Sequence, residues 1–486
     1  MAAWIACALA ALVIVKPQEF IGALAGLPLL YLAFAASLIA VAIDVIRRRI
    51  RLSLAPQIPF ILAFFGWALL VTAVRRPEVL GDQFLGFAIL GGIFAVIAVG
   101  CASPTGARAF AITFVACAAL ATTVAIVQSQ RDFGCFLAAP DDWEGRGELT
   151  SDGRPCESAF DCQKDAPVPD GNYRCERQGP LNTATIGGRV RYRGSLADPN
   201  ELSLTISIAL PFVLALAAAR KTAHASAPSA RKVPVFLPPL LDDALIARAV
   251  AFLRSIPAFA LHVAVAIAVV LSKSRTGLLV FLAVVGIQAI RKLGGWGVVA
   301  GCVVGPPMLL LGGRSGTEAD ESTDERAEIL REAFELIRSS KGLGLGAGQF
   351  TDASSIGMTA HNAYVLAVAE TGIVGYLLFC FALYLSLKVP VVLWLGERRP
   401  QDGDVARFAP SIAAALVGAF VGILFLSWTY KDVLYMVLGA SAALFSVARA
   451  RDKELRIGLS LREATAVGIA AMGLLAVVYV GSRMHK

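Results

Sequence analysis

Charge is scarce in this chain. Of its 486 residues only 16% are Asp, Glu, Lys or Arg, while 57% are hydrophobic and the mean hydropathy is +0.68. A soluble globular protein carries about 25% charged residues and cannot hide this much apolar surface. The nine cysteines show no paired C-x2-C spacing, which argues against a structural zinc site. The glycine-rich GLGLGAG (Gly342 to Gly348) does not match G-x-x-x-x-G-K-[ST] and sits in no strand–helix unit, so a nucleotide loop is not indicated. The first apolar run, Ala2 to Val15, lacks a basic n-region, and a second run follows KPQEF, so it reads as a retained helix rather than a signal peptide.

What is present is apolar length. Runs of roughly 15 to 20 residues separated by short charged loops describe a polytopic helical membrane protein. Candidate spans fall near 2–15, 20–45, 58–74, 84–101, 109–127, 201–219, 258–272, 276–290, 295–311, 362–386, 410–427, 433–448 and 464–481. The expected architecture is an all-α bundle of about 13 spans with two long extracytoplasmic loops. It divides into helices within 1–127, a cysteine-containing loop 128–200, helices within 201–311 with a linker 220–257, a large loop 312–361, and helices within 362–486.

The formal charge of +8 points to topology rather than to nucleic acid. With the first terminus in the cytoplasm, the short basic loops Arg47 to Arg51, Arg291-Lys292, Lys388 to Arg407 and Arg449 to Arg462 all fall inside. The polar segments 128–200 and 312–361 then fall outside, the expected distribution. In the linker, LLDDALIARAVAFLRSIP has apolar residues at helical spacing and reads as a helix lying on the inner membrane surface.

Four cysteines, Cys135, Cys156, Cys162 and Cys175, share the first long loop. An even cluster in a Gly/Asp/Pro-rich loop predicts two disulfides in an oxidising compartment, with three pairings open. The other five lie in or beside spans, where cysteine behaves as a small apolar residue.

Polar residues that need an explanation gather at span mouths on the outer side. Arg189, Arg191 and Arg193 alternate before Asp198-Pro199-Asn200, a stop and cap signal for the following span. An extended triplet would point towards one ligand; the plain alternative is a basic strip on anionic headgroups. LSKSRTGLL places Lys273 and Arg275 in a tight turn between apolar helices, where an arginine either snorkels or serves a function. Ser322 or Thr323 is expected to cap an amphipathic helix bearing Ile329, Leu330, Phe334 and Ile337 on one face and charges including Arg338 on the other. His361 and Asn362 stand just before a span, where free N–H groups of a helix start face any ligand. A lone histidine is more often structural than catalytic. Glu370, two turns deeper, is expected to pair with a base or line a pathway.

Taken together, RYRGSLADPNELSL, SKSRTGLL, GLGLGAGQF and AHNAYVLAVAETGIVG resemble, in this order, the O-antigen ligase/polymerase superfamily over roughly residues 185 to 380. The resemblance implies a GT-C-like glycosyltransferase of the bacterial inner membrane, working at its periplasmic face. It implies a glycan donor on undecaprenyl diphosphate, an acceptor glycan or lipid A–core, and no metal, nucleotide sugar or nucleic acid. Carried over by position, Arg193 and Arg275 correspond to arginines that hold the diphosphate, and His361 to the base that activates the acceptor hydroxyl. Arg191, Lys273, Asn362 and Arg338 are further substrate-binding candidates. The cysteine-bearing stretch 135–175 lies outside the family pattern. The rival class is a transporter or flippase of lipid-linked glycans, which would want buried charges in many spans and paired discontinuous helices.

Overall fold

The computed structural model describes residues 1–50, 53–138, 149–164, 166–168, 171–225, 243–311, 317–397, 400 and 403–484. Helices α1 (Ala2–Val15), α2 (Leu29–Ile46), α3 (Ile58–Arg75), α4 (Leu80–Gly100) and α5 (Pro104–Ser129) come first. A small module follows, made of β1 (Phe133–Ala138), β2 (Leu149–Pro155), α6 (Ala159–Gln163) and β3 (Tyr173–Arg177). The chain re-enters the bundle through α7 (Pro199–Ala225), α8 (Asp243–Leu271), α9 (Arg275–Leu293) and α10 (Gly295–Leu311). The second polar segment forms α11 (Thr317–Ser339) and the short α12 (Phe350–Ala353). Then come α13 (Ala363–Leu395), α14 (Gly403–Gly422), α15 (Asp432–Arg451) and α16 (Leu461–Met484).

Among the described residues, 11 helices are long and apolar enough to cross a membrane. The other two expected spans are helical but short: the apolar part of α8 is Ile256–Leu271, and α10 has 17 residues. That is near the lower limit for a crossing of about 17–25 residues. The protein is therefore a mostly helical polytopic membrane protein. Packing separates central from peripheral helices: 83% of the apolar window of α15 is buried inside the protein, against 11% for α16.

Several local expectations change. The stretch read as a separate surface helix is the first half of α8, because apolar sequence continues through Pro257 without a break; the linker 226–242 lies outside the described residues. Helix α11 begins at Thr317, ahead of Ser322 and Thr323, since the acidic residues between them suit the positive end of a helix. The cysteine loop contains a three-stranded antiparallel sheet in the order β2-β1-β3, the one sheet among the described residues and a departure from an all-α fold.

Among the described residues, ion pairs segregate to two ends of the bundle. At one end Arg108 donates to Asp404 at 2.9 and 2.7 Å, Lys388 pairs with Glu463 at 2.5 Å, and Asp44 accepts the N–H of Ala2 at 2.9 Å. The basic loops lie here. The opposite end carries the sheet module and α11, and is called the module end below.

Candidate active site

Helices α7, α9, α13 and α15 all begin at the module end, so their N–H groups and positive dipole ends face the same side. Three of these starts are capped by side chains. Asp198 Oδ1 accepts from Asn200 N at 2.6 Å, Ser274 Oγ from Gly277 N at 2.9 Å, and Asn362 Oδ1 from Tyr364 N and Val365 N at 2.9 and 3.0 Å.

Lateral bonds hold the starts together. The Ser274 hydroxyl donates to Asn200 Oδ1 at 2.6 Å, joining α9 to α7. Glu201 accepts from Lys431 at 2.8 Å and from Trp428 Nε1 at 3.3 Å, joining α7 to α15. The connection before α15 reaches α13: Ala363 N donates to Ile423 O at 2.9 Å, Thr429 Oγ1 to Ala363 O at 2.9 Å, and Thr359 Oγ1 to Ser427 Oγ at 2.6 Å. The RYR, SKSRTG and AHNAY segments, far apart in sequence, thus meet around one set of helix starts.

Within this frame Arg275 is the first residue of α9 and is exposed. Lys273 is also exposed, in a turn held by a left-handed backbone (φ 47°). His361 is half-buried, likewise left-handed (φ 50°), and immediately precedes the Asn362 cap. Asn362 itself is buried with its side-chain carbonyl engaged by the helix start, so only its amide N–H groups are left to meet a substrate. Arg191 and Arg193 line a cavity of about 250 Å³ together with Glu19, Asn182, Thr183 and Tyr192. Arg193 donates to the Glu19 carbonyl at 2.6 Å and to the Asn182 carbonyl; Arg191 Nε donates to Ala184 O at 2.8 Å.

The arginine triplet does not point one way. Arg189 turns from the other two and donates to Ser272 O at 2.9 Å and Asn200 Oδ1 at 3.2 Å. The reason is local: Ile186 and Arg189 exchange both backbone bonds across a tight turn, so the chain here is not an extended strand. Arg338 also stands apart. It is exposed in the last turn of α11, whose apolar face packs on α13 and α16, with Phe334 edge-on to Tyr479 at 5.1 Å.

Glu370 neither pairs with a base nor lines a path. Its Oε1 accepts the N–H of Phe350 at 3.1 Å, the N–H of Gly348 also points at its carboxylate, and the Tyr430 hydroxyl lies beside it. Helix α13 is interrupted at Gly372 (φ 69°, ψ −177°), and the glycine-rich turn docks into the gap. Leu345 N and Gly346 N donate to the freed carbonyls of Ala369 and Glu370, and Ile373 N to Gly342 O, each at 3.0 Å. On the far side, Trp67 Nε1 caps Thr371 O at 2.8 Å. The turn requires glycine because a Cβ on Gly344 would lie 2.4 Å from Glu370 O.

The segment carrying His361 is fastened from α11 as well. Glu332 accepts the Ser354 hydroxyl at 2.6 Å and the Ser355 N–H at 2.5 Å. Burial alone would raise this carboxyl, but those bonds outweigh it and hold it below the usual carboxylate range. Sequence reasoning missed the charged residues beside Arg193. Lys16 pairs with Glu19 at 3.4 Å, and Asp432 lies within electrostatic reach of both Lys16 and Lys431. Their signal was present in KPQE and WTYKD, the polar breaks between apolar runs.

The first loop holds its two disulfides, Cys135–Cys162 and Cys156–Cys175, which resolves the three open pairings. The close approach of the Cys135, Cys156 and Cys162 sulfurs, within 4.8 Å, reflects these neighbouring bonds.

Bundle and site together define a polytopic helical membrane protein whose arginine- and histidine-bearing connections are bonded to one another at one set of helix starts, with Arg191 and Arg193, but not Arg275 or His361, lining the cavity. Residues 260–380 match the O-antigen ligase family model, which bears out the resemblance carried by SKSRTGLL, GLGLGAGQF and AHNAYVLAVAETGIVG, while RYRGSLADPNELSL lies outside the matched stretch. The matched stretch contains α9, the glycine-rich turn, His361 and the interrupted first half of α13. No curated protein and no solved structure matches the chain.

Proposed function

We propose that the protein transfers a glycan from undecaprenyl diphosphate to an acceptor hydroxyl, acting as a polysaccharide polymerase or O-antigen ligase with its module end in the periplasm. The observation that carries this is that the connections bearing Arg275, His361 and the arginine strap are bonded to one another at the starts of α7, α9 and α13. A diphosphate leaving group gains charge as the glycosidic bond breaks, and guanidinium groups and helix starts stabilise that charge without reorganising. The acceptor hydroxyl must lose a proton as it attacks; His361 accepts it, and histidine titrates near neutral pH. In this scheme Arg275 and Arg193, with Arg191 and Lys273, hold the diphosphate, and no metal enters.

Sidedness has two supports: the basic loops share one end of the bundle, and the disulfides lie at the other. The transporter alternative draws on the interruption of α13, since transporters use broken helices. Among the described residues, however, this is the one non-helical break within a span, and the protein's own glycine-rich turn fills it.

The test is deletion of the gene followed by complementation with wild type or His361→Ala, running surface polysaccharide beside extracted lipid-linked glycans. Accumulation of single repeats on the carrier, with loss of long chains, identifies a polymerase. Long chains that stay on the carrier identify a ligase. Unchanged polysaccharide and carrier pools in the deletion would overturn the proposal.

A further inference from the structure

We propose that the disulfide-stapled sheet is a positioning module for the arginine strap, and that Glu176 is the residue through which it acts. The inference rests on the reading of Arg191 and Arg193 as donor contacts. It assigns a role to the part of the chain that lies outside the matched segment 260–380.

The connection can be followed bond by bond. Cys175 lies in β3 and is tied to Cys156, just beyond the end of β2. The next residue, Glu176, is 3% exposed and accepts three hydrogen bonds, from Thr185 Oγ1 at 2.5 Å, Gly187 N at 2.6 Å and Gly188 N at 3.2 Å. Gly187 and Gly188 both have positive φ, 56° and 67°, as the tightest two-residue hairpin demands. Successive N–H groups in such a turn converge into a small anion-binding concavity, which the carboxylate fills. On leaving that turn the chain becomes Arg189 to Arg193.

Main-chain bonds carry the same register. Thr185 N donates to Arg177 O at 3.1 Å, Gly179 N to Thr183 O at 2.7 Å, and Arg189 N to Ile186 O at 3.0 Å. Arg191 then donates back to Ala184 O and takes its own backbone partner, Gln128 Oε1 at 3.0 Å, from the end of α5. The sheet is anchored on the same helix end by Arg177, which donates to Ser129 O and covers the Phe133 ring. The strap is therefore the outer run of a ladder whose base is β3, and Leu149 of β2 forms part of the wall of the Arg191–Arg193 cavity. Removing the Glu176 carboxylate leaves the turn without its filling anion, and the arginines that follow lose their fixed direction.

The experiment measures equilibrium binding of undecaprenyl diphosphate to the full-length protein in detergent, with the melting temperature recorded for each variant. Glu176→Ala and the paired Cys156→Ser/Cys175→Ser are each expected to weaken binding about 10-fold. Glu176→Ala combined with Arg193→Ala should bind no worse than Arg193→Ala alone, because a residue acting through another is not additive with it. If Glu176→Ala yields no folded protein, Glu176→Gln carries the test. It keeps one acceptor oxygen for three donors and is expected to weaken binding about threefold. Weak binding by Arg193→Ala with wild-type binding by the Glu176 and cysteine variants overturns this inference and leaves the site reading standing. Wild-type binding by Arg193→Ala overturns both.

Discussion

The carboxylate of Glu370, inside α13, accepts the N–H of Phe350 at 3.1 Å and so closes the base of the segment that ends at His361. An acid buried among apolar helices is costly unless its oxygens meet donors, and here the Phe350 N–H takes Oε1 while the Gly348 N–H and the Tyr430 hydroxyl lie beside the carboxylate. Glu370→Ala strands the N–H groups of Phe350 and Gly348 and is expected to cost about 2–4 kcal/mol. Glu370→Gln keeps an acceptor and should lose less. Thermal unfolding in detergent checks the order; equal melting temperatures for the alanine variant and wild type would refute the role.

The interruption at Gly372 makes a second, sharper prediction. Its backbone (φ 69°, ψ −177°) lies in a region that is essentially confined to glycine. A Cβ there would also lie 2.5 Å from Gly342 O, in the turn that docks against it. Gly372→Ala is expected to destabilise by about 1–3 kcal/mol through backbone strain, with the contact adding to it. Gly66→Ala, in the neighbouring α3, is the control without strain, because Gly66 is helical and a Cβ there meets nothing within 4 Å. Proteolysis within 342–361 should rise in the first variant and much less in the second.

What was legible in the sequence follows from what each signal measures. Apolar length reports spans directly, so the helices and the polar segments between them were readable. The arginines and His361 could be placed at span mouths because a charged residue beside an apolar run has nowhere else to go. Tertiary partners were not legible. Glu370 reads in sequence as an acid that pairs with a base or lines a pathway, because nothing in ETGIVG states that a glycine-rich turn some twenty residues earlier supplies its donors. The sheet in the cysteine loop was missed because a strand such as LTSDGRP has no apolar alternation and the module's small core is built around the disulfides themselves. Arg189 was grouped with Arg191 and Arg193 by spacing alone, whereas a Gly-Gly hairpin, invisible to a period-two count, turns it towards Asn200.

Glu332 provides a pH prediction outside the spans. Its carboxyl is held below its ordinary value of 4.5 by bonds from Ser354 and Ser355. A group depressed in the folded state contributes stability that is fully present above the unfolded value and is lost as pH falls through the folded one. The hold of α11 on residues 354–355 is therefore expected at neutral pH and to weaken below about pH 4.5. Hydrogen exchange of the Ser355 amide should accelerate, beyond the intrinsic pH effect, between about pH 5 and 3. Glu332→Gln should show the fast exchange already at pH 7 and no further step on acidification.

His361 and Asn362 are neighbours with separable roles, which makes the last prediction the most informative about chemistry. Asn362 caps α13, and Asn362→Ala should cost about 1 kcal/mol of stability. Asn362→Ser restores a capping oxygen and should recover the melting temperature. If Asn362 serves only as a cap, transfer activity recovers with it; activity that stays low in a stable serine variant means that the side-chain amide touches substrate. His361→Ala behaves differently under the proposed mechanism. Its left-handed backbone (φ 50°) is mildly relieved by Asn and strained by Ala, so His361→Asn is the cleaner probe of the ring. Loss of a general base predicts a fall of roughly 10²–10⁴-fold in kcat with little change in the binding of undecaprenyl diphosphate. A fall confined to KM would instead make the ring a binding group, and the proton would need another acceptor at the helix starts.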